Sequence, residues 1–168
     1  MRSDASTVRQ HIVANIAQLR RFAFSLTGNP HDADDLLQAT VERVLKKGAP
    51  DGADMGKWMY RVCKNIWIDE VRSRQVRVRA VETGKLQGAQ FEDGERRTLD
   101  RLSLAEVTDA MQRLPDKHRV VLSLIALEGC SYREAAEILE IPAGTVMSRL
   151  ARARQALADG LAVPQNGN

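Results

Sequence analysis

The chain has 168 residues, 43% hydrophobic and only 4% aromatic, with a net charge of +3 and a sequence pI of about 9.1. That length suits one medium domain or two small ones, and the lack of alternating β-branched runs bounded by turns argues against a sheet protein. No segment approaches the ~20 apolar residues of a membrane span, and the N-terminus MRSDASTVRQHIVANIAQL has no uninterrupted apolar core, so neither membrane insertion nor a secretory signal is expected. Cys63 and Cys130 belong to no Cys-x-x-Cys or Cys/His metal spacing. Two unpaired thiols in a reducing cytoplasm is the simple interpretation. His11, His31 and His118 stand isolated in sequence, which gives no support to a metal or acid/base role.

Ile12, Ile16, Leu19, Ala23 and Leu26 repeat at helical spacing until Thr27-Gly28-Asn29-Pro30 stops the pattern. A second helix starts at His31-Asp32, with Ala33, Leu36, Leu37, Val41, Val44 and Leu45 as its stripe. Lys46-Lys47-Gly48 suits its C-terminus and cap. After the loop Gly48 to Asp54, a long helix is expected from about Met55 to Val76, offering Met59, Val62, Cys63, Ile66 and Val71 to a shared core. From Arg77 to about Arg97 the periodicity fails, and the polar run with three glycines reads as a flexible linker.

Beyond it, Leu102, Val107, Ala110, Met111 and Leu114 form a helix and Leu114-Pro115-Asp116 a turn, with Asp116 a good N-cap. Val120, Val121, Leu124 and Leu127 line the next helix. The expected architecture is all-α: two small helical domains, residues 1–76 and 99–162, joined by a linker at 77–98 and followed by a disordered tail at 163–168.

The most informative stretch runs from Gly129 to Leu161. Ser131 with Glu134 three residues on has capping-box spacing, and Ala135, Ala136, Ile138 and Leu139 give a short helix a small, apolar face. Glu140-Ile141-Pro142 belongs to a turn, because proline lacks an N–H and disfavours helical geometry in the residue before it. A second helix from Gly144 or Thr145 to about Ala158 buries Val146, Leu150, Ala153 and Leu157. Ser148, Arg149, Arg152 and Arg154 lie wholly or partly off that stripe, and no acid occurs between Ala143 and Ala158. This is the layout of a helix-turn-helix, whose second helix enters a major groove with arginines towards guanines or phosphates. The bland alternative is a solvated basic face on an ordinary bundle helix.

Trp58 to Arg79 holds a second concentration of nucleic-acid chemistry. Trp58, Arg61, Asn65, Ile68 and Arg72 recur at three- and four-residue intervals, on a face distinct from Met59, Val62 and Ile66. Six basic residues (Arg61, Lys64, Arg72, Arg74, Arg77, Arg79) stand against Asp69 and Glu70. Aromatics stack on unpaired bases, asparagine hydrogen-bonds a base edge and arginines hold the backbone, a combination suited to a single strand. For either Trp58 or Trp67 alone, a core position is equally open. Helix two differs: Asp32, Asp34 and Asp35 complement its dipole, and Gln38, Glu42 and Arg43 share an outer face that would repel DNA. No phosphate-cradling loop, nucleophile–base pair or carboxylate cluster beyond that helix start points to an enzyme or to a cofactor.

Taken together, these residues resemble the sigma-70 family of bacterial RNA polymerase initiation factors, in the small extracytoplasmic-function (ECF) group that retains regions 2 and 4. RRFAFSLTGNPHDADDLLQAT and WMYRVCKNIWIDEVRSR are similar to region 2, and LPDKHRVVLSLIALEGCSYREAAEILEIPAGTVMSRLARARQAL to region 4. The resemblance implies that Asp34, Asp35, Leu37 and Gln38 dock on the β′ clamp helices of core polymerase, with the β flap as a further contact. It implies that Trp58, Arg61, Lys64, Asn65, Arg72 and Arg74 help melt and hold the −10 element, beside a specificity loop at Gly48 to Asp54. Thr145, Ser148, Arg149, Arg152 and Arg154 would bind the −35 element. Met147 departs from the lysine or arginine common at its position, and Ala151 is small, which bears on the sequence read and not on the role. An anti-sigma factor covering the polymerase-binding faces is a further implied partner. Two other readings stay open on the residues alone: a standalone helix-turn-helix regulator, which leaves Trp58 to Arg79 idle, and a small nuclease, whose metal would have to sit on Asp32, Asp34 and Asp35.

Overall fold

In the computed structural model, which describes residues 5–81 and 103–162, seven α-helices and no strand are found. Helices α1 (Ala5–Thr27), α2 (Pro30–Lys47) and α3 (Met55–Val81) form an N-terminal unit. Helices α4 (Leu104–Arg113), α5 (Asp116–Leu122), α6 (Tyr132–Leu139) and α7 (Ala143–Ala162) form a second, with a π-helical turn, Ser123–Leu127, continuing α5. Most of the expected linker, and the expected disordered tail, lie outside the described residues.

Local chemistry sets the helix ends. Asn29 caps α2, its Oδ1 accepting from the Asp32 amide at 2.8 Å. Pro30 opens the helix where its missing N–H leaves no bond unmade. Gly48 closes it at φ 68°, a conformation that favours glycine, and its amide donates to the Val44 carbonyl at 2.8 Å. Ser103 with Glu106 and Ser131 with Glu134 make reciprocal capping boxes on α4 and α6. Asp116 is the first residue of α5 and not its cap, that place being taken by Pro115. Helix α3 runs five residues beyond the expected Val76, through Val81. Those added residues are all exposed, Val78 and Val81 included, so this last stretch of the helix packs on no core that a periodic pattern would report.

Leu19, Phe22, Ala23 and Leu26 of α1 pack with Ala33, Leu36 and Val44 of α2 and with Met59, Val62, Cys63 and Ile66 of α3. Met111, Leu114, Val121, Leu124, Ala135, Ile138, Val146 and Leu150 fill the second unit, and the same apolar cluster continues between the two. At ~25 cal/mol per Å² of apolar surface removed from water, burial of these aliphatic side chains is the main favourable term for both units.

The units meet along a polar seam. Ser25 donates to Ser123 Oγ at 2.8 Å within the buried interface. Arg119 is 7% exposed. Its Nη1 donates to the Leu26 carbonyl of α1 at 2.8 Å, and its other nitrogens donate to the carbonyls of Met111 at 2.9 Å, Gln112 at 2.7 Å and Leu114 at 3.1 Å. The guanidinium carbon lies 5.4 Å from the ring centre of Trp67, so one cation ties both units. Gly28, at φ 79°, lets the chain turn where an added Cβ would come within 2.6 Å of the Gln112 side chain.

Candidate nucleic-acid interface

Helix α7 presents the arrangement expected of a recognition helix. Val146, Leu150 and Ala153 are buried against α5 and α6, while Ser148 and Arg152 are exposed and Thr145 and Arg149 half-buried. With 3.6 residues per turn, Thr145, Ser148, Arg149 and Arg152 share one side. Arg154 is exposed but half a turn from Thr145, so the structure does not bring it onto that stripe. Glu140 holds the tight turn between α6 and α7 in the left-handed region at φ 57°. Behind the arginines sits His118 of α5, whose buried Nδ1 has no hydrogen-bond partner. Burial first, and then Arg152 and Arg149, hold its pKa below 6.5.

The surface on α3 is built differently. Trp58 is half-buried, its Nε1 donating to the Gly48 carbonyl at 3.1 Å, so the ring is fixed against the start of the Gly48 to Asp54 loop. Arg61 lies 5.7 Å from the Trp58 ring centre. It also donates to the Glu137 carbonyl and pairs with Glu140 at 3.6 Å, so helix α6 covers it. Asn65 and Arg72 are exposed on the same side. Lys64 is 8% exposed, contrary to an open phosphate contact, and burial lowers its pKa. Arg74 is exposed on the opposite side of α3, in line with Trp67. Trp67 belongs to the core at 4% exposure, which settles its role and leaves Trp58 as the aromatic of this face.

On α2, Asp34 and Asp35 are exposed at the first turns. Asp34 Oδ1 accepts from Arg20 Nε at 2.8 Å, and this hydrogen bond holds its carboxyl below the usual range. Asp35 stands 3.8 Å from His31. Gln38 is exposed and donates to Glu42 at 3.4 Å, while Leu37 is half-buried against the core. Burial pushes the Cys63 thiol up to about 12 and the Cys130 thiol up to about 11, which makes both poor thiolates at neutral pH. Among the described residues no group of three or more His, Cys, Asp or Glu is placed to hold a metal.

Sequence reading missed Arg21, Tyr60, Glu128 and Glu137. Arg21 makes a two-pronged contact with Glu128 at 3.0 and 2.9 Å, and the Tyr60 hydroxyl donates to the same carboxylate at 2.8 Å. The Glu128 side chain is 1% exposed, and Lys57 Nζ donates to Glu137 at 2.9 Å. No local signal marks these pairs, because each joins residues far apart in the chain.

A helix-turn-helix unit beside a second helical unit with a basic, aromatic helix gives the chain the build of a DNA-binding protein. Residues 12–77 match the family described as Sigma-70 region 2, and residues 104–157 that described as Sigma-70, region 4. The chain is 31% identical over 153 residues to the ECF RNA polymerase sigma factor EcfG of Rhodopseudomonas palustris, covering 90% of this chain and 83% of that one. It is 34% identical over 139 residues to SigM of Bacillus subtilis, covering 82% and 84%. It is also 36% identical over 159 residues to SigE of Mycolicibacterium smegmatis, where it spans 92% of this chain and 60% of the relative. In fold it is similar to the sigma factor RpoE of Bartonella quintana, solved with the anti-sigma factor NepR, at a TM-score of 0.74 and 27% identity over 94% of this chain and 98% of that one. The chain belongs to the ECF group of the sigma-70 family, the sigma factors of RNA polymerase.

Proposed function

We propose that this sigma factor divides promoter recognition between α7 and α3 and docks on core polymerase through α2, working in the cytoplasm without catalytic chemistry of its own. The observation that carries the reading is the exposed, acid-free stripe of α7, set on a capped α6 as in a major-groove reader. Thr145, Ser148, Arg149 and Arg152 take the −35 element, and Arg154 serves at most a flanking phosphate. Trp58, Arg61, Asn65 and Arg72 hold the −10 strand, with Lys64 and Arg74 outside the direct contact face. Extruding a base costs a few kcal/mol, which a pocket and phosphate contacts must offset.

Asp34, Asp35, Leu37 and Gln38 form the acidic docking face for polymerase. Carboxylates there disfavour DNA and suit a basic protein surface. An anti-sigma factor is the second protein partner, a reading supported by the NepR complex of the similar Bartonella protein. Among the described residues no helix is long and apolar enough to cross a membrane.

The test is transcription in vitro with bacterial core polymerase on a genomic promoter library. Defined start sites sharing one −35/−10 pair are expected. Tight duplex binding with no core binding and no transcripts would move the assignment to a standalone regulator.

A further inference from the structure

We infer that a cleft between α1 and the Gly48 to Asp54 loop takes an unpaired guanine of the non-template strand, so that α1 contributes to promoter choice. The inference rests on the assignment of α3 to the −10 strand and adds a second base site beside it. The cleft has a volume of about 430 Å³ and is lined by α1, the loop and the first residues of α3, within the size range of pockets that enclose small ligands. Trp58, Arg61, Asn65 and Arg72 do not line it, which separates it from the exposed face of α3. Among the described residues, none of the C-terminal unit lines it either. The cleft is therefore open in the free chain.

Val8, Pro50 and Met55 give the cleft apolar walls, and its polar atoms are set by backbone carbonyls. His11 Nδ1 faces the Thr7 carbonyl at 2.8 Å. A carbonyl only accepts, so Nδ1 carries the proton and Nε2 of the neutral ring is left as an acceptor. Asn15 Nδ2 donates to the His11 carbonyl at 2.8 Å, which leaves its Oδ1 to face the start of α3. A Cβ added to Gly56 would lie 3.3 Å from Asp54 Oδ1 and 3.4 Å from Asn15 Oδ1. Glycine thus keeps space open at a point where two acceptor oxygens converge, and the Lys57 amide holds the carboxylate there by donating to Asp54 Oδ1 at 3.0 Å. Two neighbouring acceptors select an edge with two neighbouring donors. Guanine offers one, N1–H beside the N2 amine, whereas adenine and cytosine present a single amine and thymine a single ring N–H. The lining holds no lysine or arginine, so it suits a base whose phosphates are held elsewhere along a strand, and not a free nucleotide. Because Trp58 Nε1 donates to the Gly48 carbonyl at the start of the loop, a strand resting on Trp58 meets the loop next.

NMR of the full chain, following the Asn15 side-chain amide and the Gly56 backbone amide, tests the cleft directly. A short oligothymidine strand with one central guanine should shift both signals. The same strand with inosine, which lacks the N2 amine, should bind about tenfold more weakly, as for loss of half a bidentate contact. Guanosine monophosphate should bind more weakly than the guanine strand. Gly56→Ala puts a methyl group between the two oxygens at a helical residue outside the left-handed region, so it should keep the fold and lose the discrimination between guanine and inosine. Asn15→Leu should lose it as well. With core polymerase, on a promoter that the chain transcribes, guanine at one unpaired non-template position should lengthen the open-complex lifetime about tenfold over thymine, and Gly56→Ala should erase that difference. The inference is overturned if the guanine strand shifts neither amide, if guanine and inosine strands bind alike, or if Gly56→Ala keeps the preference. Tighter binding of guanosine monophosphate than of the strand would overturn it in favour of a free-nucleotide site. Absence of transcription with core polymerase would instead overturn the initiation-factor assignment, while the NMR titration would still decide what the cleft binds.

Discussion

Helices α7 and α3 carry similar chemistry and sit in opposite states. Both are amphipathic helices with arginines on the polar side. On α7 that side is open to solvent, while Glu137 and Glu140, at the end of α6, pair with Lys57 and Arg61 of α3. On α3 the equivalent arginine is spoken for, and the tryptophan beneath it is pinned to a loop carbonyl. Composition along a helix determines what a surface is able to bind, whereas its availability depends on what the rest of the chain lays across it.

The largest effect should come from removing the tie between the two units. Arg119→Leu would strip the carbonyls of Leu26, Met111, Gln112 and Leu114 of a buried charged donor. Hydrogen bonds to charged groups contribute about 1.5–3 kcal/mol each, and buried acceptors left bare are costly. A loss of about 3 kcal/mol or more in urea unfolding is expected. A loss under about 1 kcal/mol would mean that the apolar contacts alone join the two units into one body.

Next comes the division of labour itself. Arg152→Ala should weaken binding of the holoenzyme to −35 duplex by about tenfold or more, in line with ~1–3 kcal/mol for a good arginine–guanine contact. Asn65→Ala should leave that binding intact and slow open-complex formation, followed by permanganate reactivity of unpaired thymines. Equal defects of both variants in both assays would erase the distinction between the two helices.

A substitution in the turn sharpens the comparison at lower energy. Glu140→Gly relieves a non-glycine residue at φ 57°, a conformation that costs an L-residue roughly 1 kcal/mol. It also removes the carboxylate 3.6 Å from Arg61. The variant should unfold at slightly higher urea concentration, by up to about 1 kcal/mol, while its Arg61 becomes more available to single-stranded DNA. Stabilisation without any gain in strand binding would show that Glu140 is a feature of the turn alone.

What could be read from sequence follows the range of each interaction. The capping box of Ser131 and Glu134 and the Gly48 stop are contained within three or four residues and are legible, whereas Asn29-Pro30 reads as the end of α1 and in fact caps and opens α2, one residue before the expected His31 start. The same S-x-x-E spacing at Ser103 and Glu106 was present and passed over, because it lies against a polar run that reads as linker. The α7 stripe was legible because its acid-free composition is local. Trp67 is not decidable from sequence: it is buried in a core assembled from several helices and touches Arg119, 52 positions away. Likewise the covering of Arg61 depends on Glu137 and Glu140, whose charges look like an ordinary solvated face when only their own helix is considered.

The smallest effect concerns His118, which supports the open helix from behind. Its folded-state pKa lies below 6.5 because burial, and then Arg152 and Arg149, disfavour the imidazolium. The unfolded chain therefore takes up a proton at a higher pH than the folded chain does. Stability tied to this group is fully present above pH 6.5 and declines as pH falls from there through the folded-state pKa. Arg152 and Arg149 are partly or wholly solvent-exposed, so screening keeps the effect small. His118→Gln should flatten the stability profile on the acid side of pH 6.5, as measured by urea unfolding at fixed ionic strength. The α3 side offers a contrast, since the hydrogen bond between Lys57 and Glu137 raises the pKa of the amine and lowers that of the carboxyl, both away from neutral pH. If the profile of His118→Gln overlays that of wild type, the recognition helix carries no proton-linked support.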